Sequence, residues 1–149
     1  MNWPSALFCV AILIAQGKPN FSGHWELVRS GELRSGVAVS IDIVESAQPR
    51  RVLSVTRHFE GGDAEARDYP FGIRGTAGGI LVGGGIPTPT SVQSVRWDDS
   101  AILIDQEGPE YPELHERWSI DTNGELVIES AEKPLVLATS SISVRYRKR

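Results

Sequence analysis

Two charged residues, Arg57 and Glu116, lie at positions where the alternation of two predicted strands calls for apolar side chains. Arg57 is two residues beyond Val55, and Glu116 is two residues before Trp118. Residues two apart on a strand share a face. If both charges point inward, they must pair or contact a ligand, because an isolated buried charge costs several kcal/mol. The alternative is a small register shift or a position at a barrel end, where water would reach both.

Three aromatic residues near predicted loop ends are candidates for the rim of a binding site: Tyr69, Phe71 and Tyr111. Aromatic rings offer a large contact area at a low cost in conformational entropy. Trp25 and Trp118 fall within strand patterns instead, and we expect them in the core. The rim residues and the charged pair together form the predicted ligand-binding set.

The pattern predicts no metal site, no cofactor and no enzyme activity. A metal ion needs about three converging ligands, and the histidines are His24, His58 and His115. Alternation places His24 opposite Trp25 and His115 opposite Glu116, so both should face outward if those neighbours face inward. The serines lack a Gly-x-Ser-x-Gly elbow, and the carboxylates are scattered singly on hairpins. Two carboxylates, or a histidine and a carboxylate, in contact inside a cavity would favour an enzyme instead.

Length and charge limit the classes of partner. A chain of 149 residues allows one domain with a single core. Its 15 basic and 19 acidic residues give a formal net charge of -4, which disfavours nucleic acid and anionic membranes as partners. The basic cluster from Arg145 to Arg149 is predicted to be a solvated strand end; the alternative is that it grips an anionic partner.

Residues 1–17 are predicted to be a signal peptide, and residues 18–149 the mature domain. The first segment has no charged side chain and contains the apolar run 6–15, which is too short to span a bilayer, since a spanning helix needs about 20 residues. Small residues at positions 15 and 17 place cleavage after Gly17. The chain should therefore be exported, to the periplasm or the medium of a bacterium.

The single cysteine, Cys9, lies within this leader and would be lost with it. The bulky Phe8 before it disfavours a lipoprotein signal, so we expect no stable membrane anchor. The mature domain would then hold no disulfide and no thiolate ligand. Export without disulfides is typical of a bacterial envelope or secreted protein.

Almost every segment behind the leader alternates with period two, and none keeps a helical period over eleven residues. Residues 37, 39, 41 and 43 form the clearest apolar face, and Asn123-Gly124 is the strongest hairpin signal. The pattern predicts an all-β protein: a single antiparallel up-and-down barrel of eight to ten strands. The Gly-, Pro- and Thr-rich stretch from Gly72 to Pro89 is predicted to be a long loop, in which only residues 79–82 form a possible strand.

Three segments carry a resemblance to known proteins: residues 20–27, 97–104 and 116–128. They resemble small exported bacterial barrel proteins of uncharacterised function that open with Phe-Ser-Gly-x-Trp. The Gly-x-Trp opening is also similar to that of lipocalins and other calycins. The resemblance implies that Gly23 and Trp25 seal the barrel floor and that Arg145 of the last strand stacks across the Trp25 ring.

We therefore predict an exported lipocalin-like barrel that binds a small apolar or amphipathic ligand in a cavity fringed by the 72–89 loop. The alternative is a solid scaffold of the cell envelope that contacts a protein partner through that loop, whose low charge and high glycine content suit such a contact.

Overall fold

The computed structural model describes residues 17–29, 35–77, 89–109, 113–131 and 141–149. These residues form ten strands and no helix, and accordingly no helix long and apolar enough to cross a membrane is found among them. The strands are β1 (Gly23–Leu27), β2 (Ser40–Ser46), β3 (Val52–His58), β4 (Ala64–Pro70), β5 (Gly72–Ala77), β6 (Pro89–Asp98), β7 (Ala101–Glu107), β8 (Leu114–Ile120), β9 (Leu126–Ala131) and β10 (Ile142–Lys148).

All ten strands belong to one antiparallel sheet with the order β4-β3-β2-β1-β10-β9-β8-β7-β6-β5. In a flat sheet β3 and β8, five positions apart in this order, would be separated by about 24 Å. The side chains of Arg57 on β3 and Glu116 on β8 nevertheless meet at 2.9 Å, which requires the sheet to curl. The result is a nearly closed up-and-down barrel, and the predicted fold class is confirmed.

The barrel has two different ends. Four short connections, at residues 47–51, 71, 99–100 and 121–125, lie at what we call the turn end. The odd-numbered strands all finish at the opposite end, where the even-numbered strands begin; we call it the loop end. In the last of the four short connections, the Asp121 carboxylate accepts hydrogen bonds from the Asn123 and Glu125 amides at 2.8 and 3.0 Å. The Asn-Gly signal therefore marks a real hairpin, between β8 and β9.

Trp25, on the first strand, is buried in the core. The first and last strands, β1 and β10, pair as predicted. The Trp25 indole N–H donates to the Phe21 carbonyl at 2.8 Å. The cation over its ring is Lys148, whose Nζ lies 5.5 Å from the ring centroid, and the expected contact with Arg145 is wrong. The reason is register: Trp25 is directly opposite Lys148, whereas Arg145 points outward and pairs with Asp121.

Gly23 leaves the space that the Lys148 side chain occupies. A Cβ at position 23 would lie 2.5 Å from Lys148 Cε, and the φ of Gly23 is +141°. The dihedral angle favours glycine, whereas the close approach is to the end of an exposed, flexible lysine side chain that can move away. Gly23 thus lies at the start of β1 beside Lys148, the basic residue next to Trp25, and its predicted role in closing the barrel stays a prediction.

The first part of the predicted 72–89 loop is a strand. Residues 72–77 form β5 and pair with β6, with a register irregularity at Thr76 and Ala77. The glycine-rich sequence of this segment has little strand preference of its own, and pairing with β6 holds it in the sheet. The possible strand at 79–82 falls outside the described residues, as do residues 1–16, so the leader stays a prediction.

We predict that Trp25→Ala lowers the free energy of unfolding by about 3 to 5 kcal/mol, because it empties a packed core position. Lys148→Ala should cost about 1 kcal/mol or less, since it removes a cation–π contact at an exposed side chain. Urea unfolding followed by circular dichroism measures both. Equal losses for the two variants would contradict this account of barrel closure.

Candidate functional site

Arg57 and Glu116 both point into the barrel and form an ion pair, with Arg57 Nη2 2.9 Å from Glu116 Oε2. Their side chains are 15% and 9% exposed, so the alternative in which water covers both charges is not what the structure shows. Arg57 is the second-last residue of β3, near the loop end. Glu116 is the third residue of β8, a strand that begins at the loop end. The pair therefore spans the interior near the loop end.

Further hydrogen bonds satisfy the two charges. The Trp118 indole N–H donates to Glu116 Oε2 at 2.8 Å, and Ser130 Oγ lies 3.5 Å from Glu116 Oε1. Arg57 Nη1 donates to the Tyr69 hydroxyl at 3.0 Å, and the guanidinium carbon lies 5.6 Å from the Trp118 ring centroid. With so many donors around it, Glu116 acts as a fixed hydrogen-bond acceptor.

The electrostatics of this network keep its charges in place. Burial is the largest single effect on the pKa of Arg57 and would lower it, but Glu116, Tyr69 and Glu65 together outweigh burial and the pKa is raised. Burial raises the pKa of Tyr69 and raises that of Tyr146 to about 12. At neutral pH both tyrosines are neutral phenols, and Tyr146 donates its hydroxyl to the Ala38 carbonyl at 3.1 Å.

The rim candidates do not meet at one rim. Tyr69 is fully buried and belongs to the charged network. Phe71 lies at the turn end, stacked on Trp97 with ring centroids 5.8 Å apart. Arg51 lies over both rings, 5.2 Å from the Phe71 centroid and 5.0 Å from that of Trp97. Tyr111 falls outside the described residues.

Two buried glutamines join the polar part of the interior, and the sequence analysis missed both. Gln93 on β6 is directly opposite Gln106 on β7, and Gln106 lies two residues beyond Ile104, the partner of Glu116. Gln106 Oε1 is buried and has no hydrogen-bond partner. The alternation pattern that singled out Arg57 and Glu116 also puts both glutamines on apolar faces. The same test would therefore have found them.

The interior towards the turn end is filled. Large apolar and aromatic side chains pack there without exposure, among them Phe21, Trp25, Ile43, Leu53, Ile102, Trp118 and Leu126. Gln93, Gln106, Arg57 and Glu116 come from the loop-end halves of their strands, whereas Trp97 Nε1, which is also buried without a hydrogen-bond partner, lies at the turn end.

The histidines lie on the outer face. His24 Nδ1 and His58 Nε2 contact the two oxygens of Asp42 at 2.6 and 2.7 Å, and these hydrogen bonds lower the pKa of that carboxyl. His115 also points outward but is fully buried. In the described part of the chain, no group of three His, Cys, Asp or Glu side chains could hold a metal ion as the side chains stand.

Comparison with protein-family models, with curated proteins and with solved structures finds no match to this chain. The barrel itself is established, and it is consistent with a calycin-like fold. The closer resemblance to lipocalins stays a prediction.

We predict that Glu116→Gln lowers the free energy of unfolding by about 3 to 5 kcal/mol, because it leaves the buried Arg57 charge without its counterion. The double variant Arg57→Met/Glu116→Leu should lose less than the single variant, since it removes both charges. Urea unfolding of the wild type, of Arg57→Met, of Glu116→Leu and of the double variant gives the coupling energy. Losses that simply add would show that the two groups do not interact.

Proposed function

We propose that this protein is an exported lipocalin-like barrel that binds a small amphipathic ligand in the loop-end half of its interior. The polar end of the ligand would face Gln106 and the Arg57–Glu116 pair. The ligand would carry a hydrogen-bond donor, such as a hydroxyl or an amine, because the free group at this site is an acceptor.

The observation that carries the proposal is the unsatisfied Gln106 Oε1. A buried polar atom without a partner costs about 1 to 3 kcal/mol. A ligand that donates to this oxygen would recover that free energy on binding. Binding sites often combine apolar walls with a few such polar groups.

The neighbouring side chains suit the apolar part of such a ligand. Val95 on β6 and Ile104 on β7 are buried and are directly opposite in the β6–β7 ladder, next to Gln106. Leu114, directly opposite Gln106 on β8, is half-buried. Because the turn-end interior is packed, the ligand would be small and would not run the length of the barrel.

The remaining parts of the proposal come from the sequence. The apolar leader supports export to a bacterial periplasm or medium, and the negative net charge disfavours nucleic acid as a partner. This binding role needs neither a cofactor nor a catalytic group.

We predict that Gln106→Leu leaves the fold as stable as the wild type or more so, since an apolar residue of similar size replaces an unsatisfied amide. It should weaken the binding of 1-aminoanthracene, a fluorescent amphipathic amine, about 5-fold, the equivalent of one hydrogen bond of about 1 kcal/mol. Fluorescence titration and urea unfolding measure the two effects.

Thr56→Ala, on the outward face of β3, is the matched control and should bind the probe as the wild type does. Native mass spectrometry of the protein purified from its own host adds an independent test. A wild type that binds no probe and retains no small molecule would overturn the proposal.

A second candidate function, contact with an envelope protein, is favoured by Ile73. This side chain is 80% exposed on β5, which among the described strands is an edge with a backbone ladder on one side. Exposed edges can add a strand from a partner. Ile73→Lys should then abolish co-purification of one specific host protein, while Val44→Lys, an exposed position on the fully paired β2, should not. Equal effects would count against this candidate.

A further inference from the structure

The His115 side chain points away from the barrel interior and is nevertheless completely buried. It lies on the outer face of β8, yet its side chain is 0% exposed. Its Nδ1 is 3.0 Å from Asp105 Oδ1, and since a carboxylate only accepts, Nδ1 carries the proton of that hydrogen bond. Its Nε2 is buried and has no hydrogen-bond partner. That ring nitrogen is therefore left without a bound group.

Two more carboxylates lie close to this nitrogen. Glu113 Oε1 is 3.6 Å and Glu107 Oε1 is 3.9 Å from His115 Nε2. The register explains the gathering, because Asp105 is directly opposite His115. Residues two apart share a face, so Glu107 follows Asp105, and Glu113 precedes His115, on the same outer face of the β7–β8 hairpin.

The charge around the imidazole is unbalanced. Among the described residues, Arg96 contacts Asp105, with Nη1 3.1 Å from Oδ2. Arg117, two residues beyond His115, is occupied by Asp98 and Glu129 at 3.8 and 3.5 Å. The carboxylates of Asp105, Glu107 and Glu113 thus surround the imidazole. Among the described residues one guanidinium, that of Arg96, contacts one of these carboxylates, Asp105. A cation placed between the imidazole nitrogen and the carboxylates of Glu107 and Glu113 would offset this excess of negative charge.

We propose that His115 Nε2, Glu107 and Glu113 bind a divalent cation of the zinc class, with Asp105 orienting the imidazole. Ligand atoms at about 2.0 Å from a tetrahedral ion are about 3.3 Å from one another. The distances of 3.6 and 3.9 Å exceed that spacing only slightly. A histidine that binds metal through one nitrogen commonly donates the other N–H to a carboxylate.

The site is not closed as it stands, and its two glutamates are the parts that must move. Their side chains are 62% and 69% exposed, so rotation of either meets little packing resistance. One imidazole nitrogen with carboxylate oxygens suits zinc and related transition ions, whereas calcium and magnesium take oxygen ligands alone. A water molecule would complete the coordination.

The test is calorimetric titration of the purified, chelator-treated protein with zinc chloride. The wild type should bind one ion per chain. Glu107→Gln/Glu113→Gln, at exposed positions, should weaken binding at least 10-fold with the fold unchanged by circular dichroism. Asp105→Asn should weaken it about 10- to 100-fold, the range expected for a group that orients a ligand.

His24→Asn/His58→Asn is the matched control, because it removes the other histidine–aspartate cluster of the described chain. It should bind zinc as the wild type does. Binding lost in this control but kept in the glutamate variant would overturn the proposal. So would a wild type that takes up no zinc.

Discussion

The structure depends on the joining of two meanders that are each local in sequence. Strands β1 to β4 form one and β5 to β10 the other, and within each every strand pairs with its sequence neighbour. The ladder that unites them is the pairing of β1 with β10, where Trp25 is opposite Lys148. Every interior contact between the two meanders requires this register, because a slip of one residue would turn the inward side chains of a strand outward.

The Arg57–Glu116 pair reinforces that union from inside. It connects β3 of the first meander to β8 of the second, and Tyr69 and Trp118 extend the same connection, with ring centroids 6.4 Å apart. A buried ion pair is a weak source of net stability because desolvation opposes it. It is selective, however, since any alignment that separates the two groups leaves two buried charges unpaired. The network that fixes the barrel walls is thus also the polar floor of the proposed ligand site.

The sequence predicted what alternation and turn chemistry control. Period-two patterns led to the antiparallel barrel, and Asn123-Gly124 marked its hairpin. The error at Arg145 has a different origin, because the register between the first and last strands depends on contacts distant in sequence. Likewise β5 has little local strand preference and is ordered by β6.

The candidate sites were predictable to different degrees. Inward charges stand out against an apolar face, so Arg57 and Glu116 were found from their spacing alone. The carboxylates around His115 were missed because they come from two strands, and only the β7–β8 register brings Asp105 opposite the imidazole. The sequence around Tyr69 does not show whether the ring lies at the rim of the barrel or inside it. Its contacts with Arg57 and Trp118 come from strands that the fold brings together.

The seam between β4 and β5 determines how the barrel can change its width. Among the described strands these two are the sheet edges, joined at the turn end through Phe71 and Gly72, whose φ is +114°. Among the described residues no backbone rung joins these two strands, whereas every other neighbouring pair is joined by several. The barrel therefore resembles a split ring with its corner at Phe71, and the girth of its loop end is set by side-chain contacts across the interior, chiefly the Arg57–Glu116 pair, rather than by backbone hydrogen bonds at the seam.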